Sequence, residues 1–354
     1  MIRIQAILLS AALLLAGSAV PAAEPPAKPK PIAITNVRIF FGTKIMSRGN
    51  VVIEGPNVWA ANSDATVPKD AEIIDGTGNT IFPALIDAQT SGAASTRAAV
   101  FGVLTELGGM PEGAESNQID SEDQATVKAL IDAAHLRHEL AVVHASTLKA
   151  AREALEAGAD GLVHIFTDQV PDQDFINLAA RKKVFVIPTL TLVESMSGAA
   201  SGSSLTGDPR LAPYLTAEEK ESLRRSSPKR GEVNLQNAME TVRRLSAAGV
   251  PILAGTDAPG PGTAHGASIH REMELLVAAG LTPVKALGAA TWVPAKYFRL
   301  KGSGQIVQSH RADLVLVKGD PTQDITATRD ILRVWKAGQE IPRPKVEMKA
   351  AATP

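Results

Sequence analysis

Apolar and polar residues alternate along Ala33–Phe40 and again along Asn50–Glu54, with Gly-Pro and Gly-Thr-Gly turns nearby. Period-two patterning with tight turns marks half-buried strands, so a small β-module is expected over residues 32–78. The period then lengthens. Ser121-Glu-Asp-Gln124 has the form of a capping box and opens a helix with Val127, Leu130, Ile131 and Ala134 on one face. An apolar strand follows at 140–144. Leu148, Ala151 and Leu155 mark the next helix, which stops at Gly158. Further strands are expected at 161–165, 184–187 and 250–254. Leu235, Ala238, Met239 and Val242 predict a helix ending at Gly249, with others near 267–279 and 283–290. Strand character returns at 304–307, 312–317 and 331–335. Helix and strand in alternation imply βα units on a parallel sheet. The economical layout is one β-domain built from both termini around a barrel-like insertion.

Composition adds limits. The chain has 354 residues, 45% hydrophobic and 21% charged, enough for a large domain and a small one. A formal net charge of −1 gives no footprint for nucleic acid or an anionic membrane. There is no cysteine, hence no disulfide framework and no thiolate site. Residues 1–22 read as a cleaved signal peptide: Arg3, an apolar run over Ala6–Ala16, then Val20-Pro21-Ala22. Ser18 stands where a lipid-anchored protein would carry cysteine. The expected location is therefore periplasmic or secreted, with no membrane contact after leader removal. Residues 23–31 read as a Pro- and Lys-rich linker, and 346–354 as a disordered tail.

Three strand-like segments end in a metal-ligand type of side chain: His144, His164 and Asp257. In βα architectures the loops at the C-terminal strand ends form the crevice where chemistry occurs. Neutral imidazole and carboxylate suit zinc and similar divalent ions. Such an ion lowers the pKa of bound water to about 7, and an adjacent Asp can move its proton. Each residue has a plainer reading. A lone strand-end His is more often a hydrogen-bonded structural residue, and Asp257 could cap the next helix. Three coincidences on three strands favour one shared polar pocket. Glu194 and Asp168 also follow strand ends, where a solvated loop carboxylate is the ordinary outcome.

The motifs carry a resemblance. Ile81–Ser91, Phe101-Gly-Val-Leu-Thr-Glu-Leu, Val143-His144, Gly158–His164, Ala254-Gly-Thr-Asp257 through His265–Leu276, Lys285–Thr291 and Gly304–Pro321 resemble the amidohydrolase superfamily. The likeness is to its exported imidazolonepropionase-like and prolidase-like members. The resemblance implies an α/β fold: a (β/α) TIM-like barrel over 79–302 plus a β-sandwich from 32–78 and 303–345. It also implies a divalent metal, zinc, with His144 and His164 on one ion. Asp257 would serve the other ion and handle the proton, and His265 would lie near the substrate. His265 and His270 have a plain alternative as surface polarity on a Gly-rich loop.

Two departures matter. The family's His-X-His motif is replaced by Gln89 and Ser91, neither of which offers imidazole or an anion. Asp87, kept, supports those missing ligands in the pattern. Between strand 101–107 and strand 140–144, the chain is too short for the family's third and fourth strands with their bridging lysine, because one crossover needs ~10–12 residues. The shortening falls between 108 and 120. Six central strands are counted, near 81, 101, 140, 161, 184 and 250, giving a distorted or incomplete barrel or a homo-oligomer that covers the gap. Two functions follow for a small-molecule partner. One is metal-dependent hydrolysis of amide, cyclic amide or dipeptide C–N bonds on a reduced site of His144, His164 and Asp257. The other is a catalytically inactive relative that binds a ligand or partner. A decayed or misannotated reading frame with no stable function is the third.

Overall fold

The computed structural model describes residues 29–91, 96–108, 116–120, 123–199, 202–227 and 233–344. The leader, most of the linker, the tail and Ser121 of the expected capping box lie outside these residues.

Both termini build one eight-stranded sheet. Its strands are β1 (Ile32–Phe40), β2 (Ile45–Glu54), β3 (Asn57–Asn62), β4 (Glu72–Asp75) and β5 (Asn79–Pro83) from the N-terminal part. From the C-terminal part come β12 (Leu314–Lys318), β13 (Ile331–Lys336) and β14 (Gln339–Glu340). The order is β14-β13-β12-β5-β1-β2-β3, with β4 beside β1. Successive side chains on a strand point to opposite faces, and the clusters follow that rule. Ile81, Leu314, Leu316 and Trp335 pack with Ile34, Ile39, Val51 and Val58. Phe82, Val315, Val317 and Val334 instead join the large core of the α/β body. The expected strand at 304–307 does not form: the segment is loop, and Ile306 alone enters the small core.

The run 81–91 is two strands, not one. Phe82 and Pro83 pair with Val315 and Leu314 of the terminal sheet. Ala84 N–H then donates to Asp313 O, and Leu85 N–H to Gly102 O. The chain changes sheets there and continues as β6 (Leu85–Thr90), parallel to β7 (Val103–Gly108). A second parallel group comprises β8 (Ser116–Asp120), β9 (Leu140–His144), β10 (Gly161–Val163) and β11 (Phe185–Ile187). The extended segment 252–258 joins the two groups. It bridges Val186 through Ile252 and Thr90 through Ala258, both in parallel sense, and Ala88 N–H donates to Ala254 O at 2.8 Å.

The order around the body is therefore β7, β6, the 252–258 segment, β11, β10, β9, β8. That makes seven positions rather than the six expected. The added strand is β8, paired with β9 from Ser116–Leu140 to Asp120–His144. Seven residues separate β7 from β8, fewer than the ~10–12 that a crossover uses. Among the described residues, β7 and β8 do not pair.

Ten α-helices are described: α1 (Gln124–Leu136), α2 (Leu148–Ala157), α3 (Gln173–Lys182), α4 (Leu190–Met196) and α5 (Ser203–Gly207), then α6 (Ala217–Arg224), α7 (Leu235–Ala247), α8 (Ser268–Ala278), α9 (Pro283–Ala289) and α10 (Trp292–Tyr297). Capping side chains fix several starts by accepting orphan N–H groups. Asp123 accepts from Ala125 and Thr126 at the head of α1; Thr147, Asp172 and Asn234 serve α2, α3 and α7. On α1 the buried face is Val127, Ile131 and Ala134, whereas Leu130, expected with them, is 45% exposed.

Ala88, Val142, Val163, Phe185, Ile187 and Leu253 form one cluster among the strands, with Val293, Tyr297 and Phe298 packed against it. Burying a phenylalanine such as Phe185 contributes roughly 1.5–3 kcal/mol. The closeness is visible at Gly161, where a Cβ would lie 2.5 Å from the Phe185 ring.

Candidate active site at the strand ends

His144 closes β9 and His164 follows β10. Their rings meet edge-on with centroids 4.9 Å apart. His164 holds a left-handed backbone (φ 64°), as does Thr189 (φ 49°) after β11. A β-branched residue in that region costs of order 1–3 kcal/mol and persists only when its surroundings impose it. Here Leu190 N–H and Thr191 N–H donate to Glu272 Oε1 and Oε2 at 2.9 and 2.8 Å. The carboxylate thus holds the first turn of α4, and Thr189 Oγ1 sits 2.8 Å from His164 Nδ1. Burial pushes the Glu272 carboxyl up to about 7, against the opposing pull of those two N–H groups. Sequence reasoning passed over Glu272. Its signal was the spacing Ile269, Glu272, Met273, Leu276, which places a carboxylate on the buried face of α8.

A second network surrounds Asp257. Thr256 donates from N to Asp87 Oδ1 at 2.9 Å and from Oγ1 to Asp87 Oδ2 at 2.6 Å. Burial raises the Asp87 carboxyl well above its usual range, and the nearby Glu106 charge adds to this. The Gln89 carbonyl accepts from Thr256 N–H and Asp257 N–H at 2.9 and 2.8 Å. Its side-chain Nε2 donates to Thr90 O at 3.4 Å. Ser91 Oγ donates to Asp257 Oδ1 at 2.6 Å. Asp257 does not cap the next helix, since α8 begins at Ser268.

A third pair was not foreseen. His265 Nδ1 lies 2.7 Å from Oε1 of Glu106, which stands near the end of β7 with its side chain 2% exposed. His265 is therefore a partnered, largely buried imidazole rather than surface polarity. His270 is also no surface residue. It is fully buried, its Nε2 donates to Phe101 O at 3.0 Å, and Nδ1 lies 2.9 Å from Thr328 Oγ1. Burial, helped by Arg329, brings its pKa down to about 3. Glu194 departs from the solvated reading too. It binds Arg271 at 2.7 Å, in a chain that continues through Glu274 and Arg329 to Asp208. Asp168 is exposed and accepts from Leu148 N–H at the head of α2, a helix-end role.

A catalytic ion makes specific demands on this donor set. Zinc sites use at least three imidazole, carboxylate or thiolate ligands. Among the described residues no three His, Asp or Glu side chains converge in that way. His144 and His164 supply two neighbouring imidazoles. Gln89 and Ser91 supply an amide and a hydroxyl, and the hydroxyl is directed at Asp257. One lysine occurs between residues 84 and 140. It is Lys128 of α1, 52% exposed and paired with Asp132, so it does not stand ready to bridge two ions. The residues do not fit the two-ion centre.

A family model described as the amidohydrolase family matches residues 101–341. No curated protein matches. Solved structures match over most of their length. A Xaa-Pro dipeptidase with bound methionine in its active site is 18% identical, with 88% of this chain and 100% of that chain covered and a TM-score of 0.68. Molinate hydrolase is 16% identical over 89% and 95% of the two chains, TM-score 0.68. Ochratoxinase of A. niger is 14% identical over 88% and 96%, TM-score 0.66. At these identities the likeness is one of fold.

Proposed function

Because the chain belongs to the amidohydrolase family, we propose that it is a member whose two-ion hydrolytic centre is dismantled, and whose strand-end pocket binds a small molecule without cleaving it. The observation that carries this reading is the Ser91–Asp257 hydrogen bond at 2.6 Å. The family pattern puts an imidazole at position 91 and a metal-bound carboxylate at 257. Here a hydroxyl satisfies that carboxylate directly. What remains is recognition chemistry: the His144–His164 pair, and His265 fixed by Glu106. With Nδ1–H given to Glu106, a neutral His265 offers Nε2 as an acceptor to the N–H of a dipeptide or cyclic amide. Such ligands accord with the likeness in fold to a Xaa-Pro dipeptidase.

Metal-dependent hydrolysis on the reduced set of His144, His164 and Asp257 is the second reading. The approach of two imidazole rings to 4.9 Å favours it. Calorimetric titration of Xaa-Pro dipeptides and cyclic amides, run beside a hydrolysis assay with added zinc, separates the two. The proposed function requires saturable binding with no turnover, weakened by His265→Ala. Zinc-stimulated hydrolysis by the unaltered chain would overturn it.

A further inference from the structure

The opposite end of the body carries a cavity that the strand-end chemistry does not use. It encloses about 380 Å³ between the Gly42–Thr43 turn, the end of α7, and helices α9 and α10. Pro251 and Ile252, at the start of the 252–258 segment, form part of its wall. It therefore opens at the N-terminal end of the strands, away from His144, His164 and Asp257 at their C-terminal ends. Cavities for small ligands span about 300–1,000 Å³, mostly apolar with a few placed polar groups.

The lining has that character. Ile252, Leu281, Val284, Trp292, Val293 and Tyr297 supply apolar and aromatic surface. The charged lining residues are two cations, Lys285 and Lys296, and none is acidic. Lys296 Nζ lies 5.8 Å from the Trp292 ring centroid and 5.6 Å from that of Tyr297, so the ammonium is held beside the aromatic wall. Glycines let Trp292 lie close against its neighbours. A Cβ at Gly288 would lie 2.9 Å from the Trp292 indole nitrogen, and one at Gly42 would lie 3.2 Å from Trp292 Cβ.

We infer that this cavity is a second ligand site, taking a small apolar or aromatic monocarboxylate. Its ring packs against Trp292 and Tyr297, and its carboxylate pairs with Lys296 and Lys285. The inference is independent of the proposed function, because no strand-end residue contributes to the lining.

The test titrates the full chain with 3-phenylpropionate and with its uncharged amide, followed by calorimetry. A ligand of this size is expected to bind the unaltered chain with a Kd of order ~1 mM. The carboxylate should bind at least ~5-fold more tightly than the amide. Lys296→Met should remove most of that preference while leaving amide binding unchanged. Gly288→Ala should weaken both ligands by displacing the indole, and Lys285→Met serves if that variant fails to fold. His265→Ala should leave the titration unaltered. Equal binding of acid and amide, an unaltered preference in both lysine variants, or loss of binding in His265→Ala would overturn the inference.

Discussion

Ser91 is where the chemistry of the site turns. Its hydroxyl lies 2.6 Å from Asp257 Oδ1 on a partly buried carboxylate. A hydrogen bond to a charged group contributes about 1.5–3 kcal/mol. Ser91→Ala is accordingly expected to lower unfolding free energy by about 1.5–3 kcal/mol, measured by urea denaturation; an unchanged midpoint would contradict the bond. The loss of imidazole at 89 and 91 was legible in the sequence, because residue type alone decides ligand quality. The partners of the acidic groups were not. Glu106 meets His265 across 159 positions and Glu272 meets Leu190 across 82. No local pattern encodes such a meeting. The buried carboxylate on an apolar helix face was the one available hint.

Helix α8 holds two buried groups whose titrations oppose each other. Glu272 is raised from 4.5 to about 7, so its proton-linked stability is complete below the unfolded value and is lost as pH rises through about 7. His270 is lowered from 6.5 to about 3, so its contribution is complete above 6.5 and is lost as pH falls toward about 3. Between 4.5 and 6.5 the two slopes cancel, each being at most about 1.4 kcal/mol per pH unit. Glu272→Gln removes one of them. Measured against the unaltered chain, whose profile also carries the raised Asp87 carboxyl, the variant's stability should gain ~1–2 kcal/mol between pH 5 and 6.5, as read by urea unfolding at pH 5, 5.75 and 6.5. A difference between the two chains that stays constant with pH would mean that Glu272 does not titrate in this window. Elements with strong periodicity, such as α2 and α7, were legible in their apolar faces and near their glycine stops, though not in the capping Thr147 and Asn234. Strand β8 was not, because Ser-Asn-Gln-Ile-Asp contains one apolar residue and its place is set by pairing with β9.

The molecule as a whole is a TIM-like α/β body carrying a β-rich module from both termini. That plan was legible from the change of period along the chain. The boundary was not, since Ile81–Ser91 reads as one apolar run and only pairing shows it divided between two sheets. Phe82, Val315, Val317 and Val334 of the module share one core with the helices and strands of the body. A shared core couples the two parts, so thermal unfolding is expected as one cooperative transition. Phe82→Ala should shift that whole transition, with a loss of about 3–5 kcal/mol. Two resolved transitions, only one of them moved, would contradict the coupling.

The proposed loss of the two-ion centre is tested most directly by metal content. The purified protein is incubated with zinc, dialysed and analysed beside the Gln89→His, Ser91→His double variant. The unaltered chain is expected to retain less than about one-tenth of an equivalent, and the double variant several-fold more, because two imidazoles rejoin the ligand set. Retention of about one equivalent or more by the unaltered chain would contradict the account.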